Sequence, residues 1–304
     1  NIRDLEYVAI PNVEGCCGFG GTFSVKMPGT SLAMGNKKIE NIRKVYREGV
    51  RCIATTDLSC AMHFGGMMRR DPELKSLQIR YLAELLVELD ARGSCERIRL
   101  GSLDPSFLRP DVSDKLLSCE KLCPHFHLSL QSGSDTVLAR MNRKYTTEEY
   151  ALGCQTVRKY FDHPAITTDV IVGFPGETDE LFMETYSFLR DVVKPAFIHI
   201  FPYSRRAGTP AAARKDQLLN AVKADRSHRL IELSDKMADD FIQAYVGKEV
   251  EVLYERAVGE GVYEGHTTNY IKVHGTSDKD LTNVICKTKI TKAENEQLFG
   301  TAEA

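Results

Sequence analysis

The chain has 304 residues, 42% of them hydrophobic and 27% charged, with a formal net charge of −2. That length suits two or three globular domains, and the near-neutral total excludes whole-chain electrostatic attraction as a basis for nucleic-acid binding, leaving only local patches. No apolar run approaches the ~20 residues of a membrane helix. The opening Asn1-Ile-Arg-Asp-Leu-Glu has neither the basic nor the apolar region of an export signal, so a cytoplasmic chain without membrane contact is expected. It also has no initiator Met, which suggests a start inside a longer sequence. Nine cysteines should then stay reduced, and metal or cluster ligation is the first role to test for them.

The first texture, residues 1–93, is α/β. A short strand at Tyr7–Ile10 leads into a Gly/Cys loop, then a helix with Ile39, Ile42, Val45 and Tyr46 on one face. A strand at Cys52–Thr55, a Cys-bearing segment ending in Arg69 and Arg70, and a helix over Leu82–Leu89 follow.

From 94 to 246 the apolar strands Arg97–Leu100, Phe126–Leu130, Thr168–Val172 and Phe197–Phe201 alternate with helices at Asp111–Ser118, Thr146–Phe161 and Asp179–Val192. Thr146 and Glu149 have capping-box spacing. This is βα-unit texture, a parallel sheet with helices outside, and it amounts to half of a (β/α)8 barrel. One long charged helix over Asp216–Tyr245 ends it. Residues 247–304 are different again. Short β-runs at Val250–Tyr254, Val262–Thr267, Tyr270–His274 and Thr282–Lys289, separated by Gly, Asn and Asp, predict a small β-barrel.

Three constellations carry chemistry. In the first, Cys16 and Cys17 are adjacent and followed by Gly-Phe-Gly-Gly. Consecutive thiols reach one centre only from a flexible loop, and the glycines supply that freedom. Cys60 can deliver a third thiolate, with His63 three residues on. In contrast, Cys52, Cys154 and Cys286 lie in regular elements and read as packing, as does the lone CxxxC of Cys119 and Cys123. Glu14-Gly-Cys-Cys-Gly-Phe-Gly-Gly, Ser31-Leu-Ala-Met and Asp57-Leu-Ser-Cys-Ala-Met-His resemble the CCG cysteine-rich domain of lactate-utilisation and heterodisulfide-reductase-like iron–sulfur subunits. The resemblance implies that Cys16, Cys17 and Cys60 hold an iron–sulfur or redox site, and that the front domain pairs with other iron–sulfur or oxidoreductase subunits. Two departures stand against a complete site: the family's further upstream cysteine is absent, and its closing CxxC is reduced to Cys60-Ala-Met-His63.

In the second, polar residues interrupt apolar strands near their C-terminal ends, where βα barrels place their chemistry. Ser129, Gln131 and Asp169 can hydrogen-bond a polar ligand, or Gln131 and Asp169 can cap the helices that follow, and Gly173, Pro175 and Gly176 make a tight turn. Arg140 and Arg143 can grip a carboxylate or be solvated charges. Cys123-Pro-His-Phe-His-Leu-Ser-Leu-Gln-Ser-Gly and His199-Ile-Phe-Pro-Tyr-Ser-Arg-Arg-Ala-Gly-Thr-Pro resemble the radical-SAM tRNA methylthiotransferases, the branch acting on N6-threonylcarbamoyladenosine at position 37, from Glu96 onward. The resemblance implies that Ser129, Gln131, Arg143, Asp169 and Gly173 line an S-adenosylmethionine (SAM) pocket in a partial radical-SAM-type (β/α) barrel, and that tRNA is the partner. Yet the CxxxCxxC that holds the radical-generating [4Fe–4S] cluster occurs nowhere in the sequence, so no catalytic residue is assigned and the chain alone is expected to be inactive.

In the third, Gly247-Lys-Glu-Val-Glu-Val and Glu264-Gly-His-Thr-Thr-Asn-Tyr-Ile-Lys-Val resemble a TRAM domain, an OB-like RNA-binding barrel. Lys248, Arg256, Tyr270 and Lys272 would follow a phosphate backbone and stack a base, or be ordinary solvent-facing strand residues. Lys223, Arg226 and Arg229 of the long helix, with Arg205 and Arg206, can extend the basic surface.

Overall fold

The computed structural model describes residues 8, 10–11, 26–55, 58–92, 95–103, 105–108, 116–206 and 208–303. The Cys16-Cys17 loop and half of the strand expected at Tyr7–Ile10 lie outside the described residues, as do residues 111–115 of the helix expected at Asp111–Ser118. The chain forms two compact units: residues 1–96 with 119–121, and residues 97–118 with 122–304. The segments 94–246 and 247–304, which differ in texture, thus pack as one body apart from their first residues and 119–121.

In the front unit, α1 (Pro28–Arg47) opens with Pro at its first turn, where a missing N–H costs nothing. Its Ile39 and Ile42 pack with Ile53, Phe64, Met68, Leu74 and Leu77. β1 (Cys52–Thr55) and β2 (Gln78–Tyr81) pair in parallel, with α2 (Leu58–Arg70) between them, and α3 (Leu82–Arg92) follows. Arg43 grips Asp71 at 2.5 Å, and Asp71 also accepts the N–H groups of Glu73 and Leu74. Burial alone would raise this carboxyl, but those three donors outweigh it and hold it below its ordinary value.

The rear unit holds two sheets. β3 (Ser102–Leu103), β4 (His125–Leu128), β5 (Ala165–Val172) and β6 (Phe197–Pro202) form an open parallel sheet in that order. Arg97–Leu100, expected as a strand, contributes only an isolated bridge between Ile98 and Leu122; Ile98 and Leu100 are buried all the same. The helices are α4 (Asp135–Arg140), α5 (Thr147–Tyr160) and α6 (Asp179–Ser187), the last running into a π-helical turn at Phe188–Val193. The capping box read at Thr146 and Glu149 is formed in both directions. After the short α7 (Pro210–Ala213), α8 spans Asn220–Gln243. It starts later than Asp216 because Asp216 is held elsewhere: its carbonyl accepts Gly176 N–H at 3.0 Å and its carboxylate binds Arg214.

β7 (Glu249–Gly259), β8 (Val262–Thr267), β9 (Lys272–Thr276), β10 (Val284–Glu294) and β11 (Gln297–Glu303) close into a barrel. Val252, Tyr254, Ile271, Val273, Leu281, Ile290 and Leu298 fill it, and Ile242 of α8 caps that core, with Phe197 and Phe241 packed against it. A side chain at Gly265 would strike the backbone of β7, and one at Gly275 the Tyr254 ring, so glycine sets how tightly this small barrel winds. Among the described residues, no helix is long and apolar enough to cross a membrane.

Candidate functional site

Side chains alternate across a strand, so β4 to β6 have two faces of different chemistry. Phe126 and Leu128 point to the helix-covered face and are fully buried. His127 has the opposite parity, and the parallel register sets it beside Thr167, and Asp169 beside His199. His127 Nδ1 lies 3.0 Å from Thr167 Oγ1, and its Nε2 lies 3.2 Å from Asp169 Oδ2. The His127 and His199 ring centroids are 5.6 Å apart.

Of the five residues expected to hold SAM, Asp169 and Gln131 adjoin through their backbones, and Ser129 lies two residues before Gln131 just past β4. Ser129 continues β4, its N–H reaching Leu103 O, and its carbonyl accepts Tyr145 Oη–H at 2.9 Å. Gln131 has φ of +68°, rare for a residue with a side chain. It is held there by its N–H on Asp169 O at 2.8 Å and by Ile171 N–H on its own carbonyl at 2.9 Å. Backbone strain of that kind costs about 1–3 kcal/mol and collects at ligand sites. Thr168 Oγ1 braces the same corner, donating to Leu128 O at 2.6 Å and accepting Leu130 N–H at 3.1 Å.

Gly173 turns the chain at the end of β5 with φ of +70°. A Cβ there would sit 2.5 Å from Lys223 Cγ, so the turn is packed against α8. The Gly173 N–H donates to Glu177 Oε1 at 2.9 Å, and Glu177 pairs with Arg226 at 2.5 Å, the two side chains 2% and 3% exposed. Burial raises the Glu177 carboxyl against the pull of the Gly173 N–H and Arg226. Arg143, the fifth residue, is exposed just beyond α4, its backbone N–H bound to Leu138 O.

Two long-helix cations expected on an RNA-facing surface are committed internally. Lys223 Nζ donates to Tyr203 O at 3.0 Å, and Arg226 is buried on Glu177 and Asp179. Arg229 lies over the Phe182 ring. On the barrel, Arg256 and Lys272 share one carboxylate, Glu264, at 2.8 and 3.4 Å. Chiefly through Arg256, they hold Glu264 below its ordinary pKa. Tyr270 is 42% exposed. Its ring nevertheless stacks on His266 at 4.4 Å and carries the Arg99 guanidinium 3.9 Å from its centroid. Lys248 is exposed, its ammonium 5.8 Å from the Tyr245 ring.

The residues present do not fit a radical-SAM cluster. Cys119 and Cys123 are each buried and each thiol is raised by that burial, the reverse of a ligating thiolate's surroundings. The third position of a CxxxCxxC started at Cys119 is the fully buried Phe126. Cys154, pushed up to about 12 by burial, is equally inert. Cys60 lies half-buried on α2, and its companions Cys16 and Cys17 are outside the described residues.

Residues 52–189 match the family model of the radical SAM superfamily, and residues 1–65 that of the CCG cysteine-rich domain. Among curated proteins, the threonylcarbamoyladenosine tRNA methylthiotransferase MtaB of Bacillus subtilis (strain 168) is 44% identical over 216 residues, 69% of this chain and 48% of that protein. A tRNA-2-methylthio-N(6)-dimethylallyladenosine synthase from Acetivibrio thermocellus is 36% identical over 220 residues, 72% of this chain and 46% of that protein. One from Thermoanaerobacter sp. (strain X514) is 40% identical over 219 residues, 70% of this chain and 45% of that protein. The sequence therefore joins a segment similar to CCG domains to one similar to radical-SAM tRNA methylthiotransferases. The chain spans about half the length of these curated relatives. The two family matches overlap over 52–65, ahead of the helix where the sequence texture changes.

Proposed function

We propose that the rear unit is the SAM-facing half barrel and TRAM barrel of a cytoplasmic tRNA methylthiotransferase, acting on N6-threonylcarbamoyladenosine at position 37. The observation that carries this reading is the 44% identity over 216 residues. The geometry supports it: Ser129, Gln131 and Asp169 gather hydroxyl, amide and carboxylate groups where a βα sheet offers its strand ends. They suit the ribose and amino-acid groups of SAM, with Gly173 allowing close approach and Arg143 at the rim. SAM contributes a transferable methyl group and a cleavable adenosyl group, and its cleavage requires a cluster that these residues do not hold.

The chain alone is thus a binding partner in the reaction and not its engine. Anaerobic reconstitution with iron and sulfide, followed by addition of SAM and reductant, tests this. The expected result is no 5′-deoxyadenosine above a no-protein control, and its appearance would overturn the reading.

A second reading applies to the front unit, because residues 1–65 match the CCG model. There Cys16, Cys17 and Cys60 bind an iron–sulfur centre that exchanges electrons with another oxidoreductase subunit. Replacing Cys16 and Cys17 by Ala should remove reconstituted iron, and replacing Cys119 and Cys123 should leave it. Iron retained without Cys16 and Cys17 contradicts the assignment.

A further inference from the structure

The same face of the sheet carries a second arrangement, which shares only Asp169 with the SAM reading. His127, Asp169 and His199 each offer one ligand atom, and the three atoms lie within 4.8 Å of one another. Two imidazole nitrogens and one carboxylate oxygen are a donor set for zinc-like divalent transition ions. All-oxygen sites, in contrast, suit magnesium and calcium. We propose that these residues form a binding site for a zinc-like divalent cation on the inner face of the β4–β6 sheet.

Four observations carry this. First, the ligands come from three adjacent strands, and the backbone register fixes their order, so the site is built on rigid elements. Second, the His127–Asp169 separation is already 3.2 Å, against the roughly 3.3–3.5 Å between ligands around tetrahedral zinc with ~2.0–2.1 Å bonds. His199, exposed on β6, has room to swing in and close the remaining gap. Third, Thr167 Oγ1 stands 3.0 Å from His127 Nδ1. That leaves Nε2, 3.2 Å from Asp169 Oδ2, free to bind a cation, the outer-shell arrangement that fixes a ligating imidazole. Fourth, the set is graded in access, with His127 13% and Asp169 27% exposed. Three protein ligands leave a coordination position for water or a substrate oxygen, as in catalytic and not structural zinc sites. Without a cation, the same geometry is a close His–Asp contact and nothing more.

Cobalt(II) alone is the probe, titrated into chelator-treated full chain carrying Cys16→Ser, Cys17→Ser and Cys60→Ser to remove competing thiolates. One equivalent should bind with ligand-field bands and no sulfur-to-cobalt charge transfer. Affinity should fall about tenfold or more in His199→Ala and Asp169→Asn, and about tenfold in Thr167→Val, which removes the orienting hydroxyl. His199 is exposed, so its replacement leaves the fold intact, which circular dichroism checks, and it decides the matter if Asp169→Asn misfolds. No cobalt binding by the parent, charge-transfer bands alone, or equal affinity in His199→Ala overturns the proposal. None of these outcomes depends on SAM or tRNA.

Discussion

The open sheet and the closed barrel of the rear unit treat their polar side chains in opposite ways. In the barrel Arg256 and Lys272 share Glu264, Lys287 binds Glu249 at 2.7 Å and His266 lies 2.8 Å from Glu255, while Lys248 stays exposed beside the Tyr245 ring. In the sheet, His127, Asp169 and His199 stand side by side across β4 to β6, with Gln131 just beyond β4, and no described side chain donates to the Gln131 amide. Charges cancelled pairwise provide weak, screened attraction, whereas polar groups held by strand register provide a shaped site. Under the proposed function, the sheet would carry the selectivity and the barrel a diffuse grip on tRNA.

The largest effect should come from cutting the sheet end off from α8. Arg226→Ala strands the buried Glu177 carboxylate, which typically costs about 3–5 kcal/mol. Urea unfolding of the rear unit should show it, and an unchanged midpoint would mean that the pair does not anchor the Gly173 turn. Gly173→Ala comes next. It places a side chain at φ of +70° against Lys223, for about 1–3 kcal/mol, and should weaken SAM binding, measured by equilibrium dialysis, more than it weakens the barrel.

Tyr270→Ala separates two roles. The ring already stacks on His266 and carries the Arg99 guanidinium, so its loss should cost about 1–2 kcal/mol of stability. An RNA affinity loss of about 1–3 kcal/mol with stability unchanged would instead assign it to base stacking. The smallest effect concerns pH. Glu264 has a depressed native pKa, so the stability it contributes is present above its unfolded value, about 4.3. That stability is lost as pH falls through the lower folded value. Glu264→Gln should flatten the acid limb of the unfolding curve. It should also free Arg256 and Lys272, tightening RNA binding at low salt. An unaltered acid limb would show that the pair is solvent-screened.

The sequence made the periodic elements legible and left the register-dependent ones hidden. Ile39 and Ile42 marked α1, the capping box marked α5, and Gly- and Asn-punctuated β-runs marked four of the five barrel strands. β11 (Gln297–Glu303) has no clear apolar alternation of its own and is fixed by its antiparallel pairing with β10 and its parallel pairing with β9. Asp169, Ser129 and Gln131 stood out as polar residues in apolar strands. His127 shares the parity of Ser129 and Gln131, a signal that was present, but its convergence with His199 depends on a register across β5 that no local pattern encodes. Likewise, Lys223 and Arg226 look like solvent charges in a helical pattern, and only tertiary packing turns them inward on Tyr203 and Glu177.

The central claim, that this chain grips tRNA through a barrel whose residues 247–304 carry seven Lys and Arg against ten Asp and Glu, is tested most directly by fluorescence anisotropy of full chain with tRNA at stepped salt. The account predicts weak binding without strong sequence preference. Affinity should fall steeply as salt rises, with a log–log slope of about −0.7 to −0.9 per phosphate contact, and Lys272→Ala should reduce that slope by about one contact. Absence of binding even at low salt would contradict it.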